Sequence, residues 1–316
     1  MSSKRFDVAI AGEINLDLVL YGLPMEMPTE RELLAENFAM TLGSSSAILA
    51  HNLAALGLNV TMTTLVGPDP LGEIALQRLR EAKVDLGGLQ RTDACNTGVT
   101  FILPHGKERH MITYPGTIAQ LSLDHLDLEY LGDARHFHLS SLYLQTALLP
   151  HVPLLFRTMK SAGLSISLDT NDDPEDRWEG LLDTVLPLVD IFMPNEDEAI
   201  RMTRTNSVEE AIQVLGSIVP IVAIKCGKRG ALVSANGTVE EVPGFIVTPV
   251  DTVGAGDSFN TGFLYGHLNG MSPAAAARCG NLTGALSTQR SGGTEAFRDA
   301  AFRDCFLAAN GGLLQS

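Results

Sequence analysis

The sequence predicts an α/β domain with a mostly parallel central sheet flanked by helices and a small second sheet attached to it. Three observations carry that expectation. Short β-rich runs alternate with helical patterns, and that order gives a parallel sheet covered on both faces. The 316 residues are 45% hydrophobic and 19% charged, with mean hydropathy +0.13, enough apolar material for one deep core. Two stretches, 14–40 and about 92–117, depart from the rhythm by alternating apolar and polar residues. We therefore expect one domain over 1–316 carrying these insertions as its second sheet.

The elements follow in order. "DVAIAG" (7–12) reads as the first strand, "SAILAHNLAALG" (46–57) as a helix and "NVTMTTLVG" (59–67) as the next strand. "LGEIALQRLREAKV" (71–84) is helical. "RHFHLSS" (135–141), "LSISLDTN" (164–171), "VDIFMPNE" (189–196) and "IVAIKCG" (221–227) are strands, separated by the helices "LPHVPLLFRTMKSAG" (149–163) and "SVEEAIQVLG" (207–216). The insertion "TGVTFILPHGKERHMITYPG" has a hairpin pattern with its turn at His105-Gly106-Lys107. Ligands of such sheets sit beyond the carboxyl ends of the strands, which directs attention to the polar residues after "LSISL", "IFMP" and "IVAIK".

Acidic residues outnumber basic ones 37 to 22, a formal charge of −15, and no Lys/Arg run is long enough for a phosphodiester backbone. Nucleic acid and anionic membrane are therefore not expected partners. A nucleotide remains open, because backbone N–H groups at a helix start hold phosphate whatever the net charge. Cys95, Cys226, Cys279 and Cys305 lack disulfide or zinc spacing and read as thiols in a reducing compartment. No apolar run approaches the roughly 18 residues of a membrane span, and Glu13 and Asp17 interrupt any signal-peptide core. The expected location is cytoplasmic.

"DTVGAGDSFN" (251–260) places two glycines and two carboxylates where a loop becomes a helix. Beyond it, Phe259, Phe263 and Leu264 share an apolar side, and Gly262 and Gly266 leave a groove for a close neighbour. Asn269-Gly270 ends the helix, and Ser272-Pro273 opens another. Glycines at 254 and 256 let consecutive N–H groups converge on one point, where the helix dipole adds to them. Asp257 or Ser258 could simply cap the helix. A carboxylate beside an anion hole is a poor ground-state phosphate binder, but it suits removal of a proton from a hydroxyl that then attacks phosphorus. The pattern GxxxxGK[ST] is absent, and Phe259 breaks GxGxxG.

"VDTVGAGDSFNTGFLYGHLNG" (250–270) resembles the carboxyl-terminal signature of the PfkB/ribokinase-like carbohydrate kinases. "MPNEDE" (193–198) resembles their N-x-x-E motif, "IKCGKRGA" (224–231) their nucleotide-binding strand and loop, and "NLTGALSTQRSGG" (281–293) the segment beside the adenine. "GEINLDLVL" (12–20) resembles the sugar-binding strand, and "LGSSSAILAHNLAALG" (42–57) stands in the place of a Gly-Gly motif and helix. The resemblance spans nearly the whole chain and implies a ribokinase-like fold whose small sheet is a lid.

On that resemblance, Asp257 is the base, and Gly254, Ala255 and Gly256 form the anion hole. Asn195 and Glu198 hold water-coordinated Mg²⁺ and phosphates. Lys225, Gly227 and Gly230 border the nucleotide, with Asn281 on the adenine side. In some relatives the residue matching Asp251 helps bind K⁺ with backbone carbonyls, so potassium activation stays open, with Asp251 and Val253 as contributors. Asn15 and Asp17, two apart on a strand, face the same way and are implied sugar ligands, as are Gly43, Ser44 and Ser45.

There are departures. Ser44 replaces the usual second glycine, Ile48 stands where many relatives carry a sugar-contacting Asn, and Ser45 replaces a Lys found in some, which disfavours a phosphorylated acceptor. "LDTNDDPEDRWEG" (168–180) partly matches a D-x-N-x-R…W segment, but Asp173 sits at the Arg position; Asn171 and Arg177 could reach phosphate or belong to an ordinary loop. His136 and His138 share a strand face without a third metal ligand and read as structural or surface residues. The expected activity is ATP-dependent, Mg²⁺-requiring phosphorylation of a hydroxyl on a small sugar or sugar-like acceptor, by a homodimer paired through its lids. The alternatives are a nucleoside kinase of the same family and a non-catalytic sugar or nucleotide sensor.

Overall fold

The computed structural model describes residues 4–24, 26–105 and 108–313, so Gly106 and Lys107 of the expected turn lie outside the described residues. In chain order the strands are β1 (Phe6–Ala11), β2 (Asn15–Tyr21), β3 (Asn37–Leu42), β4 (Val60–Thr63), β5 (Leu65–Val66), β6 (Gln90–Arg91), β7 (Gly98–His105), β8 (Glu108–Tyr114), β9 (Ala134–Ser140), β10 (Ser165–Asp169), β11 (Ile191–Phe192), β12 (Ile221–Lys225), β13 (Gly230–Ala235) and β14 (Thr238–Pro243). The helices are α1 (Ser45–Ala55), α2 (Pro70–Glu81), α3 (Leu128–Gly132), α4 (Val152–Ser161), α5 (Glu196–Thr203), α6 (Val208–Gly216), α7 (Ala255–Leu268), α8 (Pro273–Ser287), α9 (Glu295–Arg298) and α10 (Ala300–Ala309).

The large sheet has the order β14-β13-β12-β11-β10-β9-β1-β4. Its strands from β4 to β12 are parallel, and β13 and β14 extend it antiparallel. That last hairpin is an addition to the sequence reading, although Asn236-Gly237 between two β-branched runs signals it. Both residues adopt positive φ, 51° and 76°, as a two-residue hairpin turn demands.

One apolar layer, around Phe137, Phe156 and Phe192, packs α4 and α6 on one face of the sheet; the other, around Ile10, Met62 and Phe263, packs α1, α2 and α7 on the opposite face. Each fully buried side chain of this size contributes about 2 kcal/mol. The glycine groove on α7 is filled by α8: a Cβ on Gly262 would lie 2.1 Å from Thr283 Oγ1 and 2.3 Å from the Cys279 carbonyl oxygen. His136 and His138 are fully buried, strung on hydrogen bonds between Ser165, Ser167 and Ser140 of β9 and β10. Burial pushes both imidazoles well down, so they are neutral spacers inside the sheet.

The second sheet has the order β3-β2-β7-β8, so both insertions contribute to it. Its central pair, β2 and β7, is parallel, a pairing between distant segments that no local pattern announces. Register puts Asn15, Asp17, Val19 and Tyr21 on one face with Thr41, Thr100, Ile102 and Arg109, and Leu20, Phe38, Phe101 and Ile112 on the other. The first face looks toward the loops described next.

Candidate active site

The sequence pattern starts the helix after Asp257, but α7 begins three residues earlier, at Ala255, because Gly254 takes a left-handed conformation (φ 72°) and turns the loop into the helix. No side chain caps this end, whereas α1, α2, α5, α6 and α8 are all capped by side chains. The first N–H groups of α7 have no acceptor within the helix, and Asp257 stands in its first turn, not at its cap. Gly254 admits no side chain: a Cβ there would lie 2.4 Å from Gly293 Cα. Burial, then the charge of Asp169, pushes the Asp257 carboxyl up to about 6, against the pull of Lys225 and a hydrogen bond from Ser45.

The carboxyl ends of β10 and β12 supply a closed charge cluster. Asp169, fully buried, accepts from Lys225 Nζ at 2.5 Å and from Asn260 Nδ2 at 2.5 Å. Burial works against the Lys225 charge, but Asp169, Glu198 and Asp257 outweigh it and hold its pKa above the usual lysine value. The same ammonium lies 3.6 Å from where a Gly256 Cβ would stand, so it joins this cluster to the α7 end.

Asn195 caps α5 in a reciprocal box: its Oδ1 accepts from Glu198 N at 2.9 Å, and Glu198 Oε2 accepts from Asn195 N at 2.9 Å. The cap therefore fixes the Glu198 carboxyl, which burial and then Asp169 push up to about 7. Gly227 and Gly230 take positive φ around a short turn, and Gly230 is pressed against the Val242 carbonyl. Asn281 Nδ2 donates to the carbonyls of Val242 and Pro243 at 2.9 and 3.1 Å, anchoring α8 to β14.

Across the cleft, Asn15 and Asp17 converge on Gly43, where a Cβ would lie 2.4 and 2.2 Å from their Oδ1 atoms. Asn15 Nδ2 donates to Thr100 Oγ1 at 2.8 Å, while its buried Oδ1 has no partner. Burial, then the charge of Asp257, pushes Asp17 up to about 7, opposed by Arg109 of β8. Ser44 adopts the left-handed φ (68°) its position requires; its Oγ donates to the Glu13 carbonyl at 2.5 Å and accepts from Ala47 N at 3.2 Å. Ser45 Oγ accepts from Asn171 Nδ2 at 2.8 Å beside Asp257. Ile48 is 2% exposed and packs against Gly293 and Gly254, so it supports the loops without opening to the cleft.

Asp251, at the start of the loop, accepts from Val253 N, Gly292 N and Tyr21 Oη, each at 3.0 Å. Val253 is buried against Val19 and Ile102 of the small sheet. Arg177 is not brought to the cleft: it is 60% exposed and pairs with Glu175 and Glu179. Asp173 instead builds that loop by accepting from the backbone N–H groups of Glu175, Arg177 and Trp178.

The structure adds residues the sequence reading passes over: Glu13, whose carboxylate accepts from Ser46 and Ser141 hydroxyls at 2.6 and 2.8 Å, and Asn260, Tyr21 and Arg109. Glu13 carried one visible signal, an acid at the end of an apolar strand. Among the described residues no cluster of three or more His, Cys, Asp or Glu side chains is set to hold a metal, and no helix is long and apolar enough to cross a membrane.

The chain is similar to known proteins over nearly its whole length. The chain is 30% identical over 294 residues to the ATP-dependent ribose-1-phosphate kinase of Halopiger xanaduensis, covering 92% of this chain and 94% of that protein. It is 28% identical to the 2-dehydro-3-deoxygluconokinase of Bacillus subtilis, covering 94% and 97%. A solved E. coli structure described as "putative Ribokinase II in complex with ATP and Mg+2" superposes with a TM-score of 0.80 at 25% identity, covering 96% of this chain and 99% of that one. The profile of the pfkB family carbohydrate kinases matches residues 5–300, and the chain belongs to that family.

Proposed function

We propose that the chain transfers the γ-phosphoryl group of ATP to a hydroxyl of a small sugar or sugar-like acceptor, with Asp257 as the base. One observation carries the reading: an uncapped helix end lies beside a carboxyl whose pKa is held near 6. The acceptor hydroxyl gives its proton to Asp257, and the N–H groups at Gly254, Ala255 and Gly256 receive the negative charge that develops on the transferred group. Asn15 and Asp17 bind neighbouring hydroxyls, with the unpartnered Asn15 Oδ1 waiting for a donor. Gly43, Ser44 and Ser45 line the same side.

Lys225, Gly227 and Gly230 border the nucleotide, and Asn281 backs it. Glu198 and Asn195 fit a hydrated Mg²⁺, since their donors are hard oxygens and the displaced Glu198 pKa marks a negative charge short of compensation. When bound, that ion would neutralise phosphate charge. The small sheet, from the insertions at about 14–40 and 92–117, acts as a lid that excludes water. Phe38, Phe101 and Ile112, 56%, 41% and 58% exposed on its outer face, suit a second copy of the chain. Sedimentation should give a dimer that Phe101→Lys weakens; a monomeric wild type refutes that assembly.

The test is ADP release across ribose, fructose, keto-deoxy sugars, sugar acids, sugar phosphates and nucleosides, with Asp257→Asn alongside. Turnover with a sugar that collapses in the variant supports the reading. Turnover with nucleosides alone makes it a nucleoside kinase, and binding of ATP and sugar without turnover makes it a sensor. The panel keeps anionic acceptors because Arg109 sets a cation near Asp17.

A further inference from the structure

Tyr21 closes β2, the strand that carries Asn15 and Asp17, and its phenol reaches 230 residues along the chain to donate to Asp251 Oδ2 at 3.0 Å. That hydrogen bond uses the only phenolic proton, so Ser291 Oγ, 2.7 Å away, is the donor in their mutual bond. Gly292 N donates to the same Asp251 oxygen, and Val253 N to the other, both at 3.0 Å. Asp251 opens the loop that ends in Gly254, and Gly293 lies directly against Gly254. One phenol therefore ties the acceptor-binding strand to both loops that shape the end of α7. Val19, Ile102 and Val253 form a small apolar cluster across the same junction.

A monovalent cation at this place would need Asp251 and surrounding carbonyls turned toward it, because such ions take oxygen ligands. Here the carboxylate faces two backbone N–H groups and a phenol, donors that repel a cation, so these residues do not fit a potassium site. We infer that Tyr21 takes the place of a monovalent cation, as a positioning residue whose hydroxyl hydrogen-bonds the Asp251 carboxylate and holds the Gly254 loop in register with the acceptor strand. This rests on the kinase reading for its effect on turnover, though not for its effect on cation response.

The test compares wild type, Tyr21→Phe and Tyr21→Ser in KCl and choline chloride of equal ionic strength, reading melting temperature without substrates and turnover with the acceptor that the ADP-release panel identifies. Wild type should melt and turn over alike in both salts. Tyr21→Phe should lose roughly tenfold in kcat in choline chloride, the size expected for one hydrogen bond to a charged group. Tyr21→Ser, which also opens space, should melt higher in KCl than in choline chloride. Wild type stabilised or accelerated more than twofold by K⁺ would overturn the inference, as would full kcat in Tyr21→Phe. If Tyr21→Ser does not fold, wild type and Tyr21→Phe still decide. Absence of any turnover would sink the kinase reading alone, since the melting comparison needs none.

Discussion

The two sides of the cleft handle charge in opposite ways. On the β10–β12 side the carboxylates are held by partners within the protein: Asp169 is bound by Lys225 and Asn260, and Glu198 is locked in the α5 cap, its pKa still raised. On the side of the small sheet Asp17 and Asp257 repel each other with raised pKa values, and Asn15 Oδ1 has no partner. A closed network stabilises the fold and fixes geometry, whereas an open one costs stability until a ligand completes it. Substitutions should therefore split by side, into changes that damage the fold and changes that damage turnover while leaving the fold intact.

The largest effect belongs to Asp257→Asn. Losing a positioned base should lower kcat by about 10²–10⁴, measured by steady-state ADP release. The melting temperature above pH 7 should not fall, because the native carboxylate is desolvated there and the amide removes that cost. A variant that lost stability as well as turnover would place Asp257 on the closed side and break the contrast.

Lys225→Met makes the converse case. It leaves Asp169 buried with Asn260 Nδ2 and the Asn171 backbone N–H as its remaining partners, neither of them charged, and removing one member of a buried pair costs about 3 kcal/mol. Urea unfolding should show that loss. A stability change within experimental error would mean that the cluster is not closed.

Asp17→Asn sharpens the comparison through pH. Its carboxyl moves from 3.8 to about 7 on folding, so the folded chain holds that proton more tightly than the unfolded chain. The associated stability is complete below about pH 4 and is lost as pH rises through about 7. Wild type and variant should therefore be equally stable at pH 4, and the variant should be more stable at pH 8 by roughly 2–4 kcal/mol at most. Equal stability at both pH values would show that Asp17 titrates normally. In the wild type, the acid limb of kcat/KM should carry an apparent pKa near 6 from Asp257.

The fold was legible where hydrophobic periodicity is local. β1, β4, β9, β10 and β12 and the helices α1, α2, α4 and α6 lie within a few residues of their sequence patterns. The β13–β14 hairpin was missed although Asn236-Gly237 announces it. The parallel pairing of β2 with β7 could not be read, because register between distant segments leaves no periodic trace. In the candidate site, Gly254 and Asp257 stand out by their spacing at a helix start, whereas Asn195 and Glu198 are pointed to by the family resemblance. Glu13, Asn260 and Tyr21 do not, since each acquires its partner from another element. Ser44 shows the limit from the other direction: where the resemblance leads one to expect glycine, the serine adopts a positive φ of 68° and makes two hydrogen bonds that spacing does not announce.

The smallest expected effect tests the boundary of the open side. Sequence spacing allowed Arg177 to reach phosphate, but its guanidinium is turned outward to Glu175 and Glu179. Exposed pairs of this kind contribute little, about 0–1 kcal/mol. Arg177→Ala should thus change kcat/KM less than twofold and leave the melting temperature within error. Asn171, six residues earlier, touches Ser45 beside Asp257, and Asn171→Ala should lower kcat several-fold. If Arg177→Ala proved the more damaging of the two, this loop would have to swing its arginine inward on binding, and the open side would extend beyond the residues that face the cleft.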